Sequence, residues 1–579
     1  MAVKRNSGKT IEDVINFNTN GHAKDMLKPA DTYSYTAPNL HKLANALLAW
    51  RQYHILVITD FDPDGESSGA EMKILLESIG ARDYEILVCS RSDGYGPQLK
   101  HLKHLKPGIG NIVIELDMGI RALEFAAAVK ETGSVLAVVD HHLPDGDRLP
   151  CADILVDAHI PGGDVPDGLV TYDGYCTAGL VCKLAQILLP EECPPLQMIQ
   201  AIAAIAVITD VVPLTEDNRN IFKNGTKYMK QGKMTVGLAT LVASINTGNI
   251  VDESDIGYRI GPLLNAPGRL YSHGGELSYK LLSSMDPIES EQLVATLVQA
   301  NEKRKLLKKE AVERALEIIK RKGLEKSNPL VVVDEKTSSG IVGLVAGELS
   351  ERFHVTTIAC TVIDGKIKGS ARAVDDDNIT EALSLCAKNN PNMIIGFGGH
   401  KKAAGVTIKN GMEDRFRKEM GKIMGAKHPH MDIIEYDLEI EEKDVPDILP
   451  EILRYAPFGE GNPRIIFKIK EFEPTPRYGS TYKTGKADML KLSGKYCPSA
   501  ISFGAELRDW YLTSMPQMLD IVGYISDNHW GGKFEPQIET IEFCDASDAK
   551  PVARSPDDKY LSEAKSSNII RKEEGAKRP

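Results

Sequence analysis

"VITDFDPDGESSGAEM", residues 57–72, drives an apolar run straight into three alternate aspartates, Asp60, Asp62 and Asp64, and then into a glycine and a helix-like stretch. Similar short apolar runs are "HILVI" (54–58), "YEILV" (84–88), "NIVIEL" (111–116), "SVLAVV" (134–139) and "ADILV" (152–156). Helix-like "SSGAEMKILLESIG" and "RALEFAAAVKETG" separate some of them. Near-continuous apolar strands alternating with helices predict an α/β fold, a parallel sheet covered by helices on both faces. The carboxyl ends of such strands converge on one edge of the sheet. Like charges gathered at that edge repel one another, and either a bound metal ion or plain solvent exposure relieves the repulsion.

Further candidate ligands recur where strands are expected to end. Asp117 follows "NIVIEL", Asp140, His141 and His142 follow "SVLAVV", and Asp210 ends the apolar run "AIAAIAVIT". Taken alone, the aspartate triplet fits a solvated loop as well as a metal site, and "VVDHH" fits a capping aspartate with surface histidines. The pattern argues against an EF-hand, whose ligand ladder and closing glutamate are missing. Four such sites in one domain favour metal. Carboxylates mixed with imidazole suit Mn²⁺ better than a zinc–thiolate site, with Mg²⁺ as the alternative. The set suffices for two ions bridged by a carboxylate at roughly 3.5–4 Å, a spacing suited to activating water and clamping a phosphoryl oxygen.

The 579 residues exceed one hydrophobic core, and 42% hydrophobic with 26% charged residues fits a globular chain of several domains. No stretch reaches the length of a membrane span, and the opening "MAVKRNSGKTIEDV" has no apolar segment resembling a signal peptide, so a cytoplasmic location is expected. Nine cysteines without a CxxC pair predict reduced thiols and no zinc ribbon. A formal net charge of −12 gives no support to nucleic-acid binding, which a local basic groove would have to supply.

Residues 1–50 read as a helical lead-in and 51–285 as the first α/β domain. A long helix follows over 286–325, with "RKGLEKSNP" marking its end. A smaller α/β domain spans 326–434, beginning at "LVVVD" and holding the glycine-rich "KIKGSARA" and "GFGGHKKAAG". From 435 to 548 strand-like runs such as "IIFKIKEFEPTPR" and "MLDIVGYISDNHW" predict a small β-barrel, and the polar 549–579 reads as a disordered tail.

In order, "DFDPDG" (60–65), "LDMG" (116–119), "DHH" (140–142), "ITDVVPLTEDNR" (208–219) and "YRIGPLLNAPGRL" (258–270) resemble the DHH phosphoesterase family, and within it the RecJ single-strand-specific exonucleases. "SSGIVGLVAGELSERF", "KGSARA" and "GFGGHKKAAG" are similar to the accompanying DHHA1 domain. "YAPFGEGNPRIIF" is similar to the entry of the oligonucleotide-binding (OB) barrel that these enzymes add. The resemblance implies a DHH domain joined by the long helix to a DHHA1 domain, then an OB-type barrel.

It also implies roles. Asp60 and Asp62 would serve one metal, Asp64, His141 and Asp210 the other, and Asp117 would bridge them. His142 would face the scissile phosphate, and Asp140 would orient an imidazole rather than bind metal. Arg259, Asn265, Arg269, Ser370, Arg372, Gly398, Gly399 and His400 would bind substrate, with Arg219 and Lys368 as weaker phosphate contacts. Tyr524, Trp530 and Phe534 are either base-stacking aromatics or barrel core.

Several positions depart from the family pattern. Ile58 stands where many relatives carry histidine, and Met118 where RecJ enzymes commonly have cysteine. "ILVDAHIPGGD" lacks the usual asparagine–proline pair, and "AVITD" lacks a glycine. The principal acids all remain. The activity implied is a Mn²⁺- or Mg²⁺-dependent single-stranded DNA exonuclease acting 5′→3′ and releasing 5′-mononucleotides. It would work as a monomer in a bacterial cytoplasm, host- or phage-encoded, alongside replication or repair proteins. The competing readings are a short-oligonucleotide phosphodiesterase of the same chemistry and a catalytically inactive DNA-binding replication scaffold.

Overall fold

A computed structural model describes the chain from Ala2 to Asp545, except residues 6–9, 30–32, 95, 109, 161, 246–250, 375, 426–432, 475–480, 485–486, 498, 504 and 529–534. Trp530, Phe534 and the tail 549–579 lie outside the described residues. Among the described residues no helix is long and apolar enough to cross a membrane.

Five parallel strands form the first sheet in the order Tyr84–Val88, His54–Thr59, Asn111–Leu116, Val135–Val139, Ile154–Val156. Every residue of His54–Thr59 and Asn111–Leu116 is buried, which is why the apolar residues of these runs stand on both faces rather than alternating, with Glu115 a buried exception. After His54–Thr59 the chain moves to one side of that strand, and then crosses to the other side to form Asn111–Leu116. Connections diverging in this way open a crevice beyond the carboxyl ends of the two strands, the usual ligand position in open α/β sheets. Asp60 and Asp117 are the first residues after those strands.

Asp210 does not end a strand. The run before it is the helix Pro194–Thr209, entered through two prolines and buried on nearly all sides. A fully buried helix and a fully buried strand both read as continuous apolar sequence, and only the sixteen-residue length distinguishes them.

The helix Pro287–Lys322 runs for 36 residues, about 54 Å at 1.5 Å per residue. Asp286 caps it by accepting from the amides of Ile288 and Glu289, and Gly323 stops it in the left-handed region (φ 63°). Its first half buries Leu293, Val294 and Leu297 in the core of the first sheet. Its second half buries Ala311, Val312, Ala315 and Ile319 against Leu330, Val332 and Ile341 of the next lobe. That lobe holds a five-stranded mixed sheet ordered Ile394–Gly399, Ala403–Lys409, Lys366–Arg372, Thr357–Ile363, Leu330–Val333.

The C-terminal unit is a seven-stranded sheet running from Leu438–Glu441 to Thr481–Thr484. Its core takes in Ile11, Val14, Ile15 and Met26 together with Phe467, Ile469 and Phe472. The strand Ala2–Arg5 also pairs in parallel with Ile433–Tyr436. The expected helical lead-in is therefore divided in space. Its first part belongs with the C-terminal unit, and the helix Leu40–Trp50 buries Leu40, Leu43 and Leu47 on the first sheet.

Candidate active site

Each acidic residue reaches the crevice by its own local device. Asp60 leaves the strand at 3% exposure. Asp62 is the N-cap of the helix Pro63–Ser78, its Oδ1 accepting from the amides of Asp64 (3.1 Å) and Gly65 (3.2 Å), with Pro63 preset for the first helical position. Asp64 is clamped by the start of a second helix, Thr177–Leu188. It accepts from the amides of Thr177 (2.7 Å) and Ala178 (2.9 Å), where the helix dipole favours negative charge. Asp117 turns the chain in the left-handed region at φ 62°, a conformation aspartate tolerates better than most residues. Gly119, at φ 111°, completes that turn, and a Cβ there would collide with Glu115.

These devices bring the ligand atoms together. His141 Nε2 lies 3.4 Å from Asp117 Oδ1, 3.4 Å from Asp210 Oδ2 and 3.8 Å from Asp64 Oδ2. Three overlapping groups each place one ligand atom per residue within 4.8 Å: Asp60, Asp62 and Asp117; Asp64, His141 and Asp210; and Asp117, His141 and His142. Asp117 belongs to two of the three.

The electrostatics of the cluster are those of unneutralised acid. Burial and then Asp62 push Asp60 up to about 7. Burial, then Asp64, Asp62, Asp60 and Asp210, hold the Asp117 carboxyl well above the ordinary range, and burial with Asp64 and Asp62 does the same to Asp210. Burial holds His141 below its ordinary value, in the neutral form that ligates metal. Asp117 Oδ2 and His141 Nε2 are buried without a hydrogen-bond partner. Paired acids with orphaned lone pairs beside a neutral imidazole are a donor set that fits a divalent cation.

Asp140 stands outside all three groups. Its Oδ1 accepts from the amides of His141 (2.8 Å) and His142 (3.1 Å) and from His142 Nδ1 (2.8 Å), and its Oδ2 from the amide of Ile120 (3.0 Å). Burial opposes charge on both partners, yet this bonding outweighs it, lowering the Asp140 carboxyl and raising His142. With Nδ1 engaged, Nε2 is the nitrogen His142 presents elsewhere.

Basic residues face the acids. Arg269 donates to the carbonyl of Gly340 (3.3 Å) in the second lobe. Burial, followed by Arg91, Arg304 and Arg372, pushes its guanidinium down to about 10. Arg91 stacks on Phe61 at 4.4 Å and donates to the carbonyl of Gly268 (3.3 Å). Arg372 is steadied by Ser370 Oγ (3.1 Å) and the Ala371 carbonyl (2.8 Å). Among the described residues none of these arginines forms an ion pair with a carboxylate, and guanidinium groups left in this state suit a polyanion. Asn265, Arg269 and Arg304 line a cavity of about 860 Å³ that continues to Tyr524 and Arg464 of the C-terminal unit. His400 is exposed; burial and then the charges of Arg121 and His142 hold it below its ordinary range, so it lies toward the cluster. Gly398 and Gly399 end the exposed edge strand, Gly399 at φ 143°.

Other expected contacts lie elsewhere. Arg259 pairs with Asp255 at 3.0 Å, and Lys368 is exposed on its strand. Arg219 is not a phosphate contact. It is 4% exposed and donates to the carbonyls of Tyr455 (3.0 Å), Pro457 (3.4 Å) and Met26 (3.0 Å). Ile58 is fully buried inside its strand, and Met118 packs 3.9 Å from Cys89. Sequence reasoning missed Arg91, Arg304 and the Thr177–Ala178 amide pair. Arg91 follows the strand Tyr84–Val88, so the strand-end rule that found the aspartates would have found it too.

Family models match three stretches: the DHH family N-terminal domain over residues 54–209, the DHHA1 domain over 327–426, and the RecJ OB domain over 436–542. The single-stranded-DNA-specific exonuclease RecJ of Bacillus subtilis is 29% identical over 498 residues, 84% of this chain and 61% of that protein. RecJ of Escherichia coli is 28% identical over 389 residues, covering 64% and 66%. The chain thus spans under two thirds of the length of the Bacillus relative. In fold it resembles RecJ of Thermus thermophilus in complex with Mn²⁺, with a TM-score of 0.74 at 22% identity over 94% of this chain and 76% of that one.

Proposed function

The chain belongs to the DHH/DHHA1 family and is of the RecJ type, and from this premise we propose that it is a divalent-metal-dependent exonuclease on single-stranded DNA, acting 5′→3′ and releasing 5′-mononucleotides. The observation that carries the reading is the pair of three-residue groups, Asp60–Asp62–Asp117 and Asp64–His141–Asp210, adjoining through Asp117 at the switch point of the sheet. Asp60, Asp62, Asp64, Asp117, His141 and Asp210 hold two ions, Mn²⁺ or Mg²⁺. When bound, such ions supply water activation and neutralise charge on the phosphoryl oxygens in an in-line displacement.

The chain's own residues do the rest. His142, held by Asp140, presents Nε2 to the scissile phosphate. Arg269 and Arg372, with Arg91 and Arg304, bind backbone phosphates, while Asn265, Ser370, Gly398, Gly399 and His400 position the nucleotide. The C-terminal unit acts as an OB-type nucleic-acid barrel, a reading supported by the RecJ OB match and by the cavity that reaches it. The enzyme works as a monomer in the bacterial cytoplasm, in keeping with its bacterial relatives.

A single strand labelled in turn at each end tests the reading. Immediate mononucleotide release from the 5′ label with Mn²⁺, abolished by chelator and by Asp117→Ala, is expected. Strand binding without turnover under any divalent metal would overturn it.

A further inference from the structure

The strands Val135–Val139 and Ile154–Val156 lie side by side, with Val139 opposite Val156. Each ends in a buried aspartate followed two residues later by a histidine: Asp140 with His142, and Asp157 with His159. The hydrogen bonding repeats as well. Asp157 Oδ1 accepts from the His159 amide (2.8 Å) and from His159 Nδ1 (3.2 Å), as Asp140 Oδ1 does from His142. The two histidines hold equivalent register positions one strand apart, and neighbouring strands are spaced about 4.8 Å.

The Asp157 side chain is fully buried and its Oδ2 has no hydrogen-bond partner, so His159 is the group that answers its charge. Asp157 first, with Asp173 and Asp140 behind it, holds His159 above its ordinary range against the opposing effect of burial. The ring stays 29% exposed and keeps Nε2 as its remaining donor.

We propose that His159 is a second imidazole donor to the nucleic-acid backbone, binding the phosphodiester next to the one that faces His142. The inference rests on the assignment of His142 to the scissile phosphate. His159 is a positioning residue for the neighbouring nucleotide: it touches a phosphate that does not react and holds the strand in register at the crevice.

The test uses single strands carrying one neutral methylphosphonate, placed in turn at each of the first phosphates. Dissociation constants are read by fluorescence anisotropy with Ca²⁺ in place of Mn²⁺, for the wild type, His159→Ala and His159→Gln. In the wild type, a methylphosphonate beside the scissile position is expected to weaken binding about tenfold, the scale of one charge-assisted hydrogen bond. His159→Ala is expected to weaken the unmodified strand by about the same factor and to show no further loss at that one position. His159→Gln should recover part of the loss. A merely structural histidine would shift all positions alike, and penalties in both variants that parallel the wild type at every phosphate would overturn the proposal. Should His159→Ala fail to fold, the glutamine variant carries the comparison. A wild type that binds strands but never cleaves them sinks the exonuclease reading and leaves this comparison to decide His159; one that binds no single strand overturns both.

Discussion

Replacing Arg219 separates two roles for the same residue. The motif around it suggests a phosphate contact, whereas the structure buries its guanidinium among three carbonyls from two distant segments. In Arg219→Ala those bonds are lost, but the carbonyls do not suffer equally. Asn462 Nδ2 also donates to Tyr455 (3.0 Å) and Pro457 (2.8 Å), so these two keep a partner, while Met26 loses its donor. Hydrogen bonds to a charged group contribute about 1.5–3 kcal/mol each, and a buried orphan costs about 1–3 kcal/mol. With two carbonyls still satisfied and water entering the space left behind, a net loss of about 2–4 kcal/mol is expected. The loss should fall on the docking of the N-terminal segment and C-terminal unit rather than on the first sheet. Pulse proteolysis in graded urea reads this, since the C-terminal unit should become cleavable at lower urea while the first lobe remains protected. Arg219→Lys should rescue little, because one ammonium cannot span both segments. Unchanged proteolysis together with a shallower salt dependence of strand binding would refute the clamp and restore the phosphate contact.

Removing Arg269 should have the opposite profile: Arg269→Ala weakens binding of all strand sequences alike and lowers the slope of log affinity against log salt by about 0.7, measured by anisotropy titration. For the metal ligands, Asp117→Asn should weaken both Mn²⁺ sites and Asp60→Asn only one, each by more than the roughly 10–100-fold that loss of an outer supporting partner costs; titration calorimetry counts the sites. Asp437 predicts a pH effect far from the crevice. Burial pushes its carboxyl from 3.8 up to about 6, despite the amide of Ile466 at 2.8 Å. The folded state therefore holds this proton more tightly than the unfolded chain, so the contribution is full below about pH 4 and is lost as pH rises through about 6. Its size is about 3 kcal/mol. Asp437→Asn should remove that dependence and stabilise the C-terminal unit at neutral pH, read by thermal unfolding at pH 4, 6 and 8.

Much of the site is legible in the sequence because it is written in local chemistry. A buried parallel strand needs apolar residues throughout, and an aspartate directly after it followed by proline and glycine is a strand end passing into a capped helix; Asp60, Asp62 and Asp64 say this without any partner in view. Asp117 and the Asp140–His142 stretch repeat the pattern. Asp210 stands out as a candidate ligand but on the wrong element, since burial on all sides erases the periodicity that separates helix from strand.

What stays hidden depends on which groups meet. Nothing local distinguishes Arg219, satisfied by carbonyls more than 190 residues away, from Arg269, packed among other arginines; the same guanidinium is a clamp in one place and an anion site in the other. Nor does sequence announce that the first residues of the chain pair with the C-terminal unit, or that Thr177 lends its amide to Asp64. The sequence by itself determined the strand ends, the helix caps and the chemistry of the acids, because steric and capping preferences act within a few residues. Tertiary structure decided which strand ends adjoin, which cations are already satisfied, and that His142 and His159 stand one strand apart, because burial and charge compensation depend on neighbours that only the packed chain supplies.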